Sequence, residues 1–276
     1  MPILGKNFVL LLFLGLLMLP APVNAALEGM FLYFPARELV ASPADLGLPY
    51  EDVRFSANDG TRLHGWYLPG DEGQPLVLFY HGNAGNISHR LDNLRLLNEL
   101  GVSVFIFDYR GYGQSDGKPS EVGTYADARG ALTWLKGKGW TPERMIYFGR
   151  SLGGGIALQL ALDQPPAGLV LESAFSSIKA MGKRHYPLLW HLAGWLLSAR
   201  YDNLSKIGQL RSPLLLIHGD RDAVVPFTMG QELFHRAPEP KRFFPIPGAG
   251  HNDTFDRAGE DYLQVWREFL LRETAP

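Results

Sequence analysis

Three side chains in this sequence could pass a proton between them. Ser151 stands in the turn Gly149-Arg150-Ser151-Leu152-Gly153, a G-x-S-x-G pattern. Asp222 closes the run His218-Gly219-Asp220-Arg221-Asp222, and His251 follows Pro247-Gly248-Ala249-Gly250. A serine hydroxyl is a weak nucleophile at neutral pH. An imidazole within hydrogen-bond reach takes its proton, and a carboxylate fixes the tautomer of that imidazole. The serine–aspartate–histidine order along the chain suits a nucleophile on a sharp strand-to-helix turn, with acid and base in later loops.

Such a turn must be held by a strand before it and a helix after it, and the flanking sequence supplies both. Residues 145–148 are an apolar strand, and a helix begins just beyond Ser151. Gly149 and Gly153 relieve the crowding of a strained turn, and the N-terminus of the helix aims amide N–H groups at developing negative charge. The Leu152 amide is one expected oxyanion donor. The second comes from His81-Gly82-Asn83-Ala84-Gly85-Asn86, a loop after the strand at residues 76–80. Its donor is the amide of Asn83, with Ala84 as the alternative. Asp222 is the expected acid. Asp220 could instead brace the loop, and Glu172, after an earlier strand, is a third carboxylate. His81 precedes the serine and is not the base. His185 and His191 read as surface or packing residues and His218 as structural, while His64, His89 and His235 show no metal-ligand spacing. No metal or cofactor is expected.

The elements that carry these loops alternate regularly. Apolar strands are expected at residues 76–80, 102–107, 145–148, 169–171, 214–217 and 242–246, with helices near 88–100, 124–136, 153–162, 228–235 and 262–271. Short continuous apolar strands between helices imply a mostly parallel central sheet flanked by helices, an α/β fold. Residues 53–67 alternate around Asn58-Asp59-Gly60 and read as a hairpin. The loop Asp108–Ser115 has neither G-x-G-x-x-G nor Walker spacing and is expected to line the site, with Asp108 paired to Arg110. Residues 176–211 are too long for a crossover helix and read as an inserted helical cap. Within it, residues 188–197 are apolar on most faces. They form a buried cap helix on one reading and an interfacial, membrane-touching segment on the other.

Lys6 followed by twelve residues, 8–19, apolar except for Gly15, and then Val23-Asn24-Ala25, has the layout of a signal peptide over residues 1–25. The remaining 26–276 form the hydrolytic domain, exported to the periplasm or secreted. The alternative is an uncleaved membrane anchor, although twelve apolar residues fall short of the ~20 that span a bilayer. The net charge of −2 calls for no nucleic acid, and the absence of cysteine excludes disulfides, thiolate metal sites and a lipidated N-terminus.

Taken together, the loops at residues 81–86, 108–115, 149–153, 219–222 and 250–251 resemble the α/β-hydrolase superfamily, across roughly residues 50–272. The H-G-N-A-G-N, D-Y-R-G-Y-G and G-R-S-L-G-G forms resemble a narrower branch. This is the exported or membrane-associated bacterial hydrolases related to eukaryotic α/β-hydrolase-domain proteins, some of which remove palmitoyl groups from proteins. The resemblance implies a cofactor-free serine esterase or thioesterase acting on a small-molecule or acylated substrate. Two rivals share the fold: a serine peptidase, and a binding protein without catalysis. A peptidase of this kind needs acidic groups for a substrate amine. The cap instead carries Lys179, Lys183, Arg184 and Arg200, which favours acyl chains or anionic head groups.

Overall fold

The computed structural model describes residues 32–273. The segment read as a signal peptide lies outside them, as do Met30 and Phe31. Eight strands form the main sheet: β1 (Glu51–Ser56), β2 (Arg62–Leu68), β3 (Leu76–Tyr80), β4 (Ser103–Asp108), β5 (Met145–Arg150), β6 (Gly168–Glu172), β7 (Leu214–Gly219) and β8 (Lys241–Ile246). Their order across the sheet is β8-β7-β6-β5-β3-β4-β2-β1. All pairs are parallel except β1–β2 and β2–β4, so the expected hairpin forms the antiparallel edge.

Alternation along the buried strands divides the core in two. On one face, Leu76, Leu78, Tyr147, Leu171 and Leu216 pack with helices α2 (Glu121–Gly137) and α3 (Leu152–Asp163). On the other, Val77, Phe79, Phe148, Val170 and Ile217 pack with α1 (Leu91–Glu99) and the C-terminal helix α9 (Glu260–Glu273). Successive strand residues point to opposite faces, so a strand covered on both sides must be apolar throughout. β3 to β7 are buried along their whole length.

The segment at 176–211 divides into two parts. Helices α4 (Ile178–His185) and α5 (Pro187–Ala193) and a 3₁₀ turn (Gly194–Leu196) form the cap proper. The chain returns to the body at Tyr201, whose amide, with that of Arg200, donates to Glu121. Helix α6 (Asn203–Lys206) then packs against α3. No residue of α5 is buried, which overturns the buried-helix reading of this stretch. Helices α7 (Phe227–Arg236) and α8 (Thr254–Ala258) complete the chain order between α6 and α9. Among the described residues no helix is long and apolar enough to cross a membrane.

Candidate active site

β5 and α3 meet at Ser151, which has φ 52° and ψ −116°. A non-glycine residue accepts this backbone only when its surroundings enforce it. A Cβ on Gly149 would lie 2.5 Å from the Gly153 carbonyl oxygen, and one on Gly153 would lie 2.0 Å from that of Tyr80. Both glycines are therefore required by close approach of backbone. The Ser151 amide donates to the Glu172 carbonyl at 2.9 Å, which pins the turn to the next strand.

The loops after β7 and β8 reach this turn. His251 Nδ1 lies 2.7 Å from Asp222 Oδ2, and His251 Nε2 lies 3.2 Å from Ser151 Oγ. With Nδ1–H donating to the carboxylate, Nε2 is left to accept the serine proton. Asp222 also accepts the Val224 and Val225 amides at 2.8 and 2.7 Å. Burial pushes its carboxyl pKa up, but hydrogen bonds from His218 and His251 outweigh that and hold it well below the usual carboxylate range. Asp220 takes the bracing part, accepting the Gly248 amide at 2.7 Å. Glu172 is buried and accepts from Thr254 Oγ1 at 2.7 Å and Tyr262 OH at 2.6 Å.

The H-G-N-A-G-N loop runs alongside. A Cβ on Gly82 would lie 3.6 Å from that of Ser151. The Asn83 side chain is tied three ways: Nδ2 donates to the Leu32 carbonyl, while Oδ1 accepts the Phe34 amide and the Tyr112 hydroxyl. The main-chain amides of Asn83 and Leu152, by contrast, donate to no other group among the described residues. His81 is buried, stacked on Tyr109 and hydrogen-bonded through Nδ1 to the Gly82 carbonyl. Burial pulls its pKa down from 6.5 to about 3, so it is neutral and structural at neutral pH.

Sequence reasoning missed two residues here. Arg150 is buried, pairs with Glu172 at 3.1 Å and donates from Nη2 to the His251 carbonyl at 2.9 Å. His218 lies 3.4 Å from Asp222 Oδ2, with its Nε2 also 3.0 Å from the Val225 carbonyl. The i, i+4 spacing of His218 and Asp222 was the available signal, but it lies at a strand end, where helical spacing carries no meaning. The expected Asp108–Arg110 pair does not form. Arg110 pairs with the buried Asp127 of α2 at 2.7 Å and with Asp59 at 2.8 Å. Asp108 accepts the Ile87 amide at 3.0 Å, and burial raises its pKa.

Ser151 and His251 face a cavity of about 1150 Å³. Met181, Leu189, Trp190 and Leu197 of the cap give it an apolar wall. The lining outside the cap includes His89, Arg90, Asp92 and Asp256. Lys179, Lys183, Arg184 and Arg200 are absent from the lining, so the cap cations do not act inside it as the sequence suggested. Among the described residues there is no cluster of three or more groups that could hold a metal ion.

The arrangement can attack a carbonyl, shuttle the proton and offer two amides to the oxyanion. The model of the serine aminopeptidase S33 family matches residues 71–206. The chain is 43% identical over 247 residues to an uncharacterized protein of Mycobacterium tuberculosis, covering 88% of this chain and 87% of that one. It is 32% identical over 282 residues to the alpha/beta hydrolase domain-containing protein WAV2 of Arabidopsis thaliana, covering 93% and 91%. Among solved structures it is similar to the esterase Pf2001 of Pyrococcus furiosus, with TM-score 0.71 and 24% identity over 88% of this chain and 100% of that one.

Proposed function

Because the chain belongs to the α/β-hydrolase family, we propose that it is a serine hydrolase of carboxylic esters or thioesters, working through an acyl-enzyme. The observation that carries the proposal is the hydrogen-bonded series Asp222–His251–Ser151 at 2.7 and 3.2 Å, whose Ser151 and His251 line a cavity with an apolar wall. Ser151 Oγ attacks the acyl carbonyl while His251 Nε2 takes its proton, and Asp222 stabilises the imidazolium. The amides of Asn83 and Leu152 receive the oxyanion, each worth on the order of 10²–10³ in kcat. His251 returns the proton to the leaving alcohol or thiol. A water activated by the same imidazole then hydrolyses the acyl-Ser151.

A fluorophosphonate probe tests this directly. Wild-type protein is labelled and Ser151→Ala is not; wild type that resists labelling ends the proposal. A p-nitrophenyl ester panel from C2 to C16, with a thioester counter-screen, then reads chain length and leaving group. A peptidase reading has one observation in its favour beyond the family description, the carboxylates of Asp92 and Asp256 in the cavity wall. Both are exposed and stand in the first turns of α1 and α8, where helix N-termini favour negative charge without any ligand. Cleavage of aminoacyl p-nitroanilides faster than of the esters would decide for it.

We also propose that the protein is exported and works against a lipid surface. Tyr186, Leu188, Leu192 and Trp195 are exposed on the cap around the cavity. Residues 173–201 carry four cations, Lys179, Lys183, Arg184 and Arg200, and no carboxylate, in a chain of net charge −2. An exposed apolar crest with a cationic flank suits an anionic bilayer. Trp190 belongs to the cavity instead: Cβ atoms on Gly182 and Gly194 would lie 2.0 and 2.5 Å from its ring. The informative variant is therefore Leu188→Ser, Leu192→Ser, Trp195→Ala. If it co-sediments with anionic vesicles as well as wild type does, the proposal fails. N-terminal sequencing of the purified exported protein tests cleavage after Ala25.

A further inference from the structure

Five described arginines are buried or half-buried: Arg90, Arg110, Arg129, Arg150 and Arg242. Four of them have a carboxylate at ion-pair distance: Asp127 for Arg110, Asp163 for Arg129, Glu172 for Arg150 and Glu268 for Arg242. Arg90 has none among the described residues. Its guanidinium donates only to main-chain carbonyls, those of Ala84 and His89, and its Nε is buried with no partner. A desolvated cation without a counter-ion is costly and is retained where something else compensates it.

Its position says what that is. Arg90 lines the same cavity as Ser151, beside Ala84, the residue after the oxyanion donor Asn83. The charged or titratable groups on that cavity are His89, Arg90, Asp92, Arg150, His185, Tyr186, His251 and Asp256, and Arg90 and Arg150 are its two arginines. Asp92 and Asp256 are exposed, each in the first turn of a helix, and Arg150 is neutralised by Glu172. The cavity thus holds one half-buried guanidinium without a carboxylate partner together with the apolar side chains of the cap. Burial, and next the Arg150 charge, lower the Arg90 pKa to about 10, which still leaves it cationic at neutral pH.

We propose that Arg90 anchors an anion subsite in the Ser151 cavity, so that the substrate is an amphipathic ester bearing a carboxylate or phosphate group as well as an apolar chain. A guanidinium receives such a group through paired N–H donors. The inference rests on the serine hydrolase reading for turnover but not for binding, and the experiment separates the two.

Two matched ester pairs are compared at constant ionic strength. Mono-p-nitrophenyl glutarate against p-nitrophenyl valerate places the charge on the acyl side. 1-Butyrylglycerol 3-phosphate against 1-butyrylglycerol places it on the alcohol side. In at least one pair the wild type prefers the anionic member. Arg90→Gln lowers the anionic-to-neutral ratio of kcat/KM by about 10–100-fold, as expected for a charge-assisted hydrogen bond. Arg90→Lys restores part of that ratio. Calorimetry with glutarate and with inorganic phosphate shows binding to wild type that Arg90→Gln loses. Equal slowing of both members of each pair would make Arg90 a brace for the Ala84 loop and overturn the subsite, as would a wild type that neither prefers nor binds an anion. Anion binding without turnover of any ester would uphold the subsite and overturn the hydrolase reading.

Discussion

Replacing Arg150 by methionine removes two interactions that do different work. Arg150 is 6% exposed and Glu172 fully buried, and they meet at 3.1 Å. Breaking a buried pair from one side strands the other charge, at a cost of about 3–5 kcal/mol. The hydroxyls of Thr254 and Tyr262 still reach Glu172, so the lower end of that range applies. At about 2–4 °C per kcal/mol, Tm falls by about 6–12 °C. The same substitution frees the His251 carbonyl, which Arg150 Nη2 holds at 2.9 Å. A base displaced by about 1 Å costs about 10²-fold in kcat. Adding Glu172→Gln removes the stranded charge and returns more than half of the lost stability, but it leaves the His251 loop unheld. The double variant therefore melts closer to wild type than Arg150→Met does and remains slow. The assay is a urea melt of wild type, both single variants and the double, alongside kcat on one p-nitrophenyl ester. A single variant within about 1 kcal/mol of wild type, or a double variant no more stable than Arg150→Met, would refute the stranded-charge argument. A kcat that follows stability back up would refute the positioning role.

Three further outcomes follow from the geometry. His218→Leu removes a donor that helps hold Asp222 ionised; kcat/KM on a p-nitrophenyl ester falls about tenfold, and an unchanged kcat/KM would contradict that role. His81 is neutral in the fold down to about pH 3 but protonates near 6.5 when unfolded. Its contribution to stability is thus lost as pH falls through that window, by up to about 1.4 kcal/mol per pH unit. The stability gap between wild type and His81→Asn should narrow between pH 6 and 4 in urea melts, and a constant gap would contradict this. Gly153→Ala drives a Cβ to 2.0 Å from the Tyr80 carbonyl and costs about 3 kcal/mol or more, whereas Gly82→Ala meets Ser151 at 3.6 Å and melts near wild type.

Much of this was legible in the sequence because it is local. The turn at Ser151 declares itself by an apolar strand, two glycines and a helix within a dozen residues. The sheet declares itself by strands apolar at every position, which only two-sided burial requires. What separates Asp222 from Asp220 is not local. The two carboxylates lie two residues apart in one loop, and the distinction comes from their partners, Gly248 for one and His251 for the other, which a distant strand delivers. Arg110 has Asp108 two residues before it in sequence, yet the carboxylate that meets it is Asp127, on the next helix and buried. Arg150 occupies a variable position of G-x-S-x-G, where residue type gives no hint that it will hold the histidine loop. The cap cations were visible as composition, but the way a helix turns them away from a cavity is not.

Asn83 has a consequence of another kind. Its side chain grips the chain at Leu32 and Phe34, so the loop proposed to offer an amide to the oxyanion is fastened to the segment that leads into the sheet. An expression boundary drawn after Phe34 would leave every catalytic side chain in place and still slacken that amide. If the N-terminal segment tethers the protein, tension on the tether would reach this loop first, through the Leu32 carbonyl and the Phe34 amide.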